Sequence, residues 1–271
     1  MLEWKDDSRL IVSGTEFALA PTEMPDREML RQAGALLLRK SRWMVERYES
    51  LRAQIDPDNV FELGIYEGGS TALLALLLQP RRLAAIDIKP RRTPDLDAFI
   101  ARHDLSDSLH PYHEVDQADR TRLVEILDEE FGSEPLDLVI DDASHLLRET
   151  TASFNVVFPR LRPGGLFVLE DWSCQLERER ALADVLRTDE AARASLQERL
   201  ASGEVRAPSE APLSRLVLEL VLTAAYDDSI VAEITSLRRG WVVVRKGDAM
   251  LDPDQFDIAH CYGALGRALF S

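Results

Sequence analysis

The chain has 271 residues, enough to bury a substantial core and better suited to one mid-sized α/β domain with additions than to two independent domains. Its 32 Lys and Arg against 48 Asp and Glu leave a formal net charge of -16, which repels polyanions and makes nucleic acid a poor partner. The longest apolar run, Ala72 to Leu78, is too short to span a bilayer, nothing near Glu3, Lys5, Asp6 and Asp7 resembles a secretory signal, and only Cys174 and Cys261 occur. The expectation is a cytoplasmic protein without membrane contact or a metal-thiolate cluster.

Near the start, Leu10 to Val12 reads as a short strand. From Asp26 to Gln54 the apolar residues Met29, Leu30, Ala33, Leu36, Leu37, Trp43, Met44, Tyr48 and Leu51 recur at helical spacing, and Asp56-Pro57-Asp58 ends the pattern. Residues 1–58 are therefore expected to be a helical cap or a segment that pairs subunits into a homo-oligomer.

Between Asn59 and Asp171 short apolar runs alternate with amphipathic stretches, the pattern of βα units that build a parallel sheet. The runs are Val60 to Leu63, Leu83 to Ile88, Leu109 to Val115, Leu136 to Ile140 and Leu166 to Leu169; helices are predicted near Ser70 to Leu78, Asp95 to Arg102, Asp119 to Glu130 and Leu147 to Phe158. Five strands with four crossovers predict a doubly wound, Rossmann-like sheet with ligands at the carboxyl ends of its strands. A charged helical stretch from Cys174 to Ala201 follows, with a Gly, Pro and Ser-containing break before Pro212; residues 173–212 are expected to form a lid. Another apolar helix, Leu213 to Tyr226, precedes Ile230 to Leu237 and Trp241 to Lys246, which suit an antiparallel hairpin closing the sheet. The catalytic domain is thus read as 59–271.

Chemistry concentrates at the predicted strand ends. In Phe61-Glu62-Leu63-Gly64-Ile65-Tyr66-Glu67-Gly68-Gly69-Ser70 a buried strand runs through glycines into a helix, which lets the backbone approach a nucleotide-like cofactor. Asp87 ends the next strand, where a carboxylate can accept hydrogen bonds from ribose hydroxyls, and Glu114-Val115-Asp116-Gln117 offers groups for an adenine edge. The glycine spacing does not fit G-x-G-x-x-G, which disfavours a nicotinamide dehydrogenase. The turn instead resembles the first motif of class I methyltransferases, whose cofactor is S-adenosylmethionine; Glu62, Gly64, Tyr66, Glu67, Gly68, Ser70, Asp87, Asp116 and Gln117 are the cofactor candidates.

The strongest signal is Asp137-Leu138-Val139-Ile140-Asp141-Asp142-Ala143-Ser144-His145 together with Gly164-Gly165-Leu166-Phe167-Val168-Leu169-Glu170-Asp171-Trp172. Both strands end in paired acids, and they are neighbours in such a sheet. Crowded carboxylates repel one another unless a cation neutralises them, and hard oxygen ligands favour Mg²⁺, with Mn²⁺ or Ca²⁺ as alternatives. His145 is the candidate base for a hydroxyl proton. Glu170 and Asp171 can serve one ion only if the strand has ended and turned, because successive strand residues face opposite ways.

From Asn59 to Trp172 the sequence resembles the macrocin and mycinamicin sugar O-methyltransferases, relatives of the cephalosporin-hydroxylase-like family. The likeness rests on the Glu-Leu-Gly turn, Asp87, Asp116, the Asp-Asp-Ala-Ser-His segment and the Gly-Gly-Leu-Phe-Val-Leu-Glu-Asp segment. It implies Asp142, Glu170 and Asp171 as Mg²⁺ ligands, His145 as base with Asp142 beside it in the catalytic pair, and Asp141 nearer the cofactor. Ala143 stands where the family commonly has Gly. The implied activity is methylation of a sugar hydroxyl on a small-molecule or oligosaccharide acceptor, such as a macrolide deoxysugar or a mannose or rhamnose unit of a polysaccharide precursor. Methylation of a catechol or other phenol, and a non-catalytic cofactor-binding assembly protein, are the competing readings.

Overall fold

A computed structural model describes residues 2–20, 34–90, 93–202, 211–237 and 240–270. They form a seven-stranded and a four-stranded sheet. The smaller one holds β1 (Leu2–Trp4), β2 (Arg9–Val12), β3 (Thr15–Leu19) and β4 (Leu36–Leu38), antiparallel except for the parallel pair β3 and β4. Helix α1 (Arg42–Leu51) follows, with Ser41 as its N-cap.

The larger sheet is built from β5 (Asn59–Leu63), α2 (Gly69–Leu78), β6 (Arg82–Asp87), α3 (Pro94–Arg102), β7 (Leu109–His113), α4 (Arg120–Phe131), β8 (Leu136–Asp141), α5 (Leu147–Val157) and β9 (Leu161–Leu169). Then come α6 (Cys174–Thr188), α7 (Glu190–Ala201), α8 (Ser214–Tyr226), β10 (Val231–Leu237), β11 (Trp241–Lys246) and the short α9 (Gly263–Arg267). The strand order is β10-β11-β9-β8-β5-β6-β7, parallel from β9 to β7, with β10 and β11 antiparallel at one edge. This is the doubly wound sheet expected from the sequence. Its chain order reverses between β5 and β8, and the carboxyl ends there open the crevice where this fold binds ligands.

Both faces of the sheet are covered, which explains why its strands read as continuous apolar runs. On one face Val60, Leu138, Ile140, Leu166 and Val168 meet α2 and the N-terminal residues Leu10, Phe17, Leu38 and Tyr48. On the other, Phe61, Leu63, Val139, Phe167 and Leu169 meet Phe154, Phe158, Leu123 and Leu216. Helix α2 is apolar almost all round because it lies between the large sheet and the N-terminal one, packing on β2 and β4 as well.

The N-terminal expectation needs correction. Leu36, Leu37 and Leu38 form a strand with both faces buried, and only Arg42–Leu51 of the expected helix is helical. The Ser41 cap starts the helix after the strand has ended at Leu38; residues 26–33 of that prediction lie outside the described residues. Apolar positions three and four apart occur by coincidence in a fully buried strand followed by a helix. The apolar face of α1, Val45, Tyr48 and Leu51, is buried in this chain's own core. Among the described residues no helix is long and apolar enough to cross a membrane.

Candidate active site

At the carboxyl edge of the sheet, Leu63, Asp141 and Leu169 pair across β5, β8 and β9. The ladder continues one step further, with Asp142 N donating to Leu63 O at 2.9 Å and Glu170 N to Asp141 O at 3.0 Å. Everything that follows those rungs is released into loops around one cleft of about 540 Å³.

Gly64 leaves β5 at φ +104, and a Cβ there would lie 2.4 Å from the backbone oxygen of Asp142. Only glycine lets the first turn pass so close to the loop after β8. Gly68 caps α2 at φ +82 and Gly69 presses on the backbone of Leu37; these two glycines serve packing and do not line the cleft. Glu62 lies behind the turn, fully buried, and accepts from Thr71 Oγ1 at 2.6 Å through Oε2. Its Oε1 is buried without a hydrogen-bond partner. Burial pushes the carboxyl up to about 7, opposed by the hydroxyls of Ser70 and Thr71. Glu67 and Ser70 are half-buried in the turn and the first turn of α2, away from the cleft wall.

Tyr66, Asp87 and Asp116 do face the cleft. The Asp87 carboxylate accepts from Tyr66 N at 2.7 Å and from Lys89 N at 2.8 Å, which orders both loops and leaves each oxygen a second lone pair for a ligand. The Lys89 ammonium stands 3.6 Å from the Tyr66 ring centre. Gln117 touches the cleft, yet its amide is engaged elsewhere: Oε1 accepts from Ser144 N at 2.9 Å, and Nε2 donates to Asp141 and Ser153. Asp141 likewise is spent within the protein, accepting from Ala143 N and Ser153 Oγ while 1% exposed. Burial pushes it up to about 7. These two residues shape the loop and are not placed to read a cofactor through their side chains.

The four terminal acids separate into two groups. Asp142 and Asp171 are half-buried cleft residues and stand with His145 so that one ligand atom from each lies within 4.8 Å of the others. His145 Nε2 is 3.7 Å from Asp142 Oδ1. The backbone achieves this by placing His145 at φ +56 and Asp171 at φ +51, sparsely populated conformations that are typical of functional loops. A Cβ at Gly240 would stand 3.2 Å from Asp171 Cα, and the Gly240 carbonyl accepts from Trp172 N, so the β10–β11 end of the sheet braces that turn.

Glu170 turns the other way. It is fully buried, accepts from Lys40 Nζ at 2.6 Å through Oε2, and accepts the Tyr48 hydroxyl through Oε1. Lys40 Nζ also lies 2.5 Å from Asp142 Oδ2. Burial opposes the Lys40 charge, but attraction from Asp142 and Glu170 prevails and holds its pKa well above the ordinary value. Of the expected ligands Asp142, Glu170 and Asp171, Asp142 and Glu170 thus meet on Lys40, and Asp171 stands beside Asp142 in the cleft. Asp142, His145 and Asp171 form the accessible set, and an ammonium supplies part of the positive charge that crowded carboxylates demand. Lys40, Tyr48 and the cleft residue Arg39 were not anticipated. The chain has four lysines, Lys5, Lys40, Lys89 and Lys246, and that two of them sit at this site is the signal their scarcity held.

Residues 61–172 match the family described as a methyltransferase domain. A tetracenomycin enzyme of Streptomyces olivaceus, 8-demethyl-8-(2-methoxy-alpha-L-rhamnosyl)-tetracenomycin-C 3'-O-methyltransferase, is 33% identical over 138 residues, 48% of this chain and 32% of that protein. Mycinamicin VI 2''-O-methyltransferase of Micromonospora griseorubida is 54% identical over 37 residues, 14% of this chain and 9% of its own. The matched stretches thus span a third or less of these relatives. Among solved structures, the O-methyltransferase TomG from Streptomyces achromogenes, in complex with SAM, shares the fold with a TM-score of 0.51 at 16% identity, covering 83% of this chain and 91% of that one. Over residues 61–172 the chain is thus similar to methyltransferase domains, those of the tetracenomycin and mycinamicin O-methyltransferases among them.

Proposed function

We propose that this chain is an S-adenosylmethionine-dependent O-methyltransferase that methylates a hydroxyl of a sugar or glycoside with the help of a divalent cation, Mg²⁺ by preference. The observation that carries the reading is the meeting of Asp142, His145 and Asp171 on the wall of the same cleft that Gly64 and Asp87 line.

The residues fit both groups. For the cofactor there is a cleft of nucleoside size and a strand-end carboxylate with spare lone pairs. For the cation there are the carboxylates of Asp142 and Asp171 at ligand spacing, with the His145 imidazole beside them as the base, and carboxylate oxygens suit a hard ion. When bound, S-adenosylmethionine supplies an electrophilic methyl group and the cation supplies positive charge that makes a nearby hydroxyl more acidic.

The chain's own residues do the rest. Asp142 and Asp171 hold the acceptor end of the cleft. His145, as the neutral imidazole, takes the hydroxyl proton while the oxygen forms its bond to the methyl carbon and the carbon–sulfur bond breaks; the proton then passes to solvent. Asp87 and the Gly64 turn orient the nucleoside. Helices α6 and α7 extend as an exposed pair, α6 having no buried residue and showing Leu176, Leu182 and Val185 to solvent. Such a pair suits a lid that covers the acceptor and excludes water.

The test is incubation of the purified chain with methyl-labelled S-adenosylmethionine, Mg²⁺ and parallel panels of glycosides and phenols. Label on a glycoside, lost after chelation and restored by added Mg²⁺, is the expected result. Label confined to phenols would replace the acceptor class, and full transfer in excess chelator after metal stripping would remove the cation. Cofactor binding with no transfer to any acceptor would favour an assembly protein.

A further inference from the structure

We infer that Arg39 is a specificity-determining residue for the cofactor: its guanidinium receives the carboxylate of the amino-acid tail, which makes the N-terminal sheet part of the cofactor site. This deepens the reading above and rests on the cleft holding S-adenosylmethionine; it does not involve the cation.

Charge decides where that carboxylate can go. The cleft wall carries the acids Asp87, Asp116, Asp142, Glu149 and Asp171, which repel an anion. Among the described residues the arginine and lysine that line it are Arg39 and Lys89. Both stand against the ring of Tyr66, the Arg39 guanidinium carbon 6.0 Å and the Lys89 ammonium 3.6 Å from its centre. Lys89 follows Asp87 by two residues and its backbone N donates to that carboxylate at 2.8 Å, so it belongs to the nucleoside end. Arg39 precedes Lys40, whose Nζ reaches Asp142 Oδ2 at 2.5 Å, so it belongs to the transfer end. In the cofactor the amino-acid tail leaves the sulfur on the side away from the nucleoside, and of the two cations Arg39 is the one on that side.

The N-terminal fold delivers this side chain. The parallel pairing of β4 with β3 buries Leu36 to Leu38, and Gly69 lies so close to β4 that a Cβ there would meet the Leu37 oxygen at 2.1 Å. With β4 fixed against the start of α2, the chain leaves it at the carboxyl edge of the large sheet. Lys40 is drawn into the core by Asp142 and Glu170, with 3% of its side chain exposed. Arg39, half-buried, is left on the cleft wall. A guanidinium offers N–H donors in a planar fork that fits both oxygens of a carboxylate, and partial burial limits the competition from water.

The experiment is calorimetric titration of the full chain, as wild type, Arg39→Met, Arg39→Lys and Lys89→Met, with two ligands. One is S-adenosylhomocysteine; the other is methylthioadenosine, which keeps the nucleoside and the sulfur but lacks the amino-acid tail. Arg39→Met should weaken S-adenosylhomocysteine at least about tenfold while methylthioadenosine changes by less than about twofold. Arg39→Lys keeps the charge without the fork and should recover part of the loss. Lys89→Met should leave the ratio of the two affinities within about twofold of wild type. Equal weakening of both ligands, in Arg39→Met and Arg39→Lys alike, would make the residue structural and overturn the inference. Unchanged binding of both by Arg39→Met, or a selective loss found in Lys89→Met instead, overturns it as well. A wild-type chain that binds neither ligand overturns the cofactor reading itself, and the inference with it.

Discussion

Replacing Gly64 by Ala tests the contact on which the cleft depends. At φ +104 an L side chain is strained, a cost of roughly 1–3 kcal/mol for a sparsely populated backbone conformation. The added Cβ would also stand 2.4 Å from the carbonyl oxygen of Asp142 and 2.8 Å from its carbon, and crowding of this kind adds about 1–3 kcal/mol. The opposing atoms are backbone, so relief requires moving the loop that carries Asp142. Together the penalties reach about 2–6 kcal/mol, which for a domain of this size lowers the melting temperature by roughly 5–20 °C. Calorimetry should show that loss together with an S-adenosylmethionine affinity at least about tenfold weaker. Gly14→Ala is the control, since φ is +83 and no atom lies within 4 Å of a Cβ there; it carries the backbone cost alone, roughly 1–3 kcal/mol, and should leave binding intact. A Gly64→Ala chain that melts within about 2 °C of wild type and binds the cofactor equally well would refute the reasoning.

Burial raises the pKa of Glu62 to about 7 from an ordinary 4.5, so the folded chain keeps a proton that the unfolded chain releases. That contribution to stability is complete below about pH 4 and disappears as pH climbs through 7, amounting to about 2 kcal/mol between pH 5.5 and 8. Glu62→Gln should therefore lose less stability over this interval in urea titrations, and an unchanged pH slope would contradict the buried, protonated carboxyl. The α6–α7 pair should become resistant to limited proteolysis when S-adenosylmethionine, Mg²⁺ and an acceptor are present together, by at least about threefold in cleavage rate; identical digestion with and without them would end the lid proposal.

The large sheet was legible because strands buried on both faces, such as Val60 to Leu63 and Leu136 to Ile140, leave unmixed apolar runs that amphipathic helices interrupt. The convergence of Asp142 and Asp171 was legible too, since neighbouring parallel strands must end together. Other features lie beyond local pattern. Leu36 to Leu38 carried apolar residues at a spacing shared by helix and buried strand, and only the pairing with β3 decides between them. Glu170 and Asp171 are adjacent in sequence, yet the positive φ of Asp171 sends one acid to the cleft while the other stays in the core. Lys40 meets Asp142 and Glu170 across 102 and 130 residues, a contact that no window of sequence contains. The repulsion that pointed to a cation was real, but part of the answer was an ammonium from the N-terminal segment.

The most direct measurement is single-turnover methyl transfer by His145→Ala to a glycoside that wild type methylates, with cofactor binding measured on the same preparation. Binding should stay within about threefold of wild type while the transfer rate falls by roughly 10²–10⁴, the range for loss of a general base. A variant that still transfers methyl groups at the wild-type rate would show that the imidazole beside Asp142 and Asp171 does not receive the hydroxyl proton.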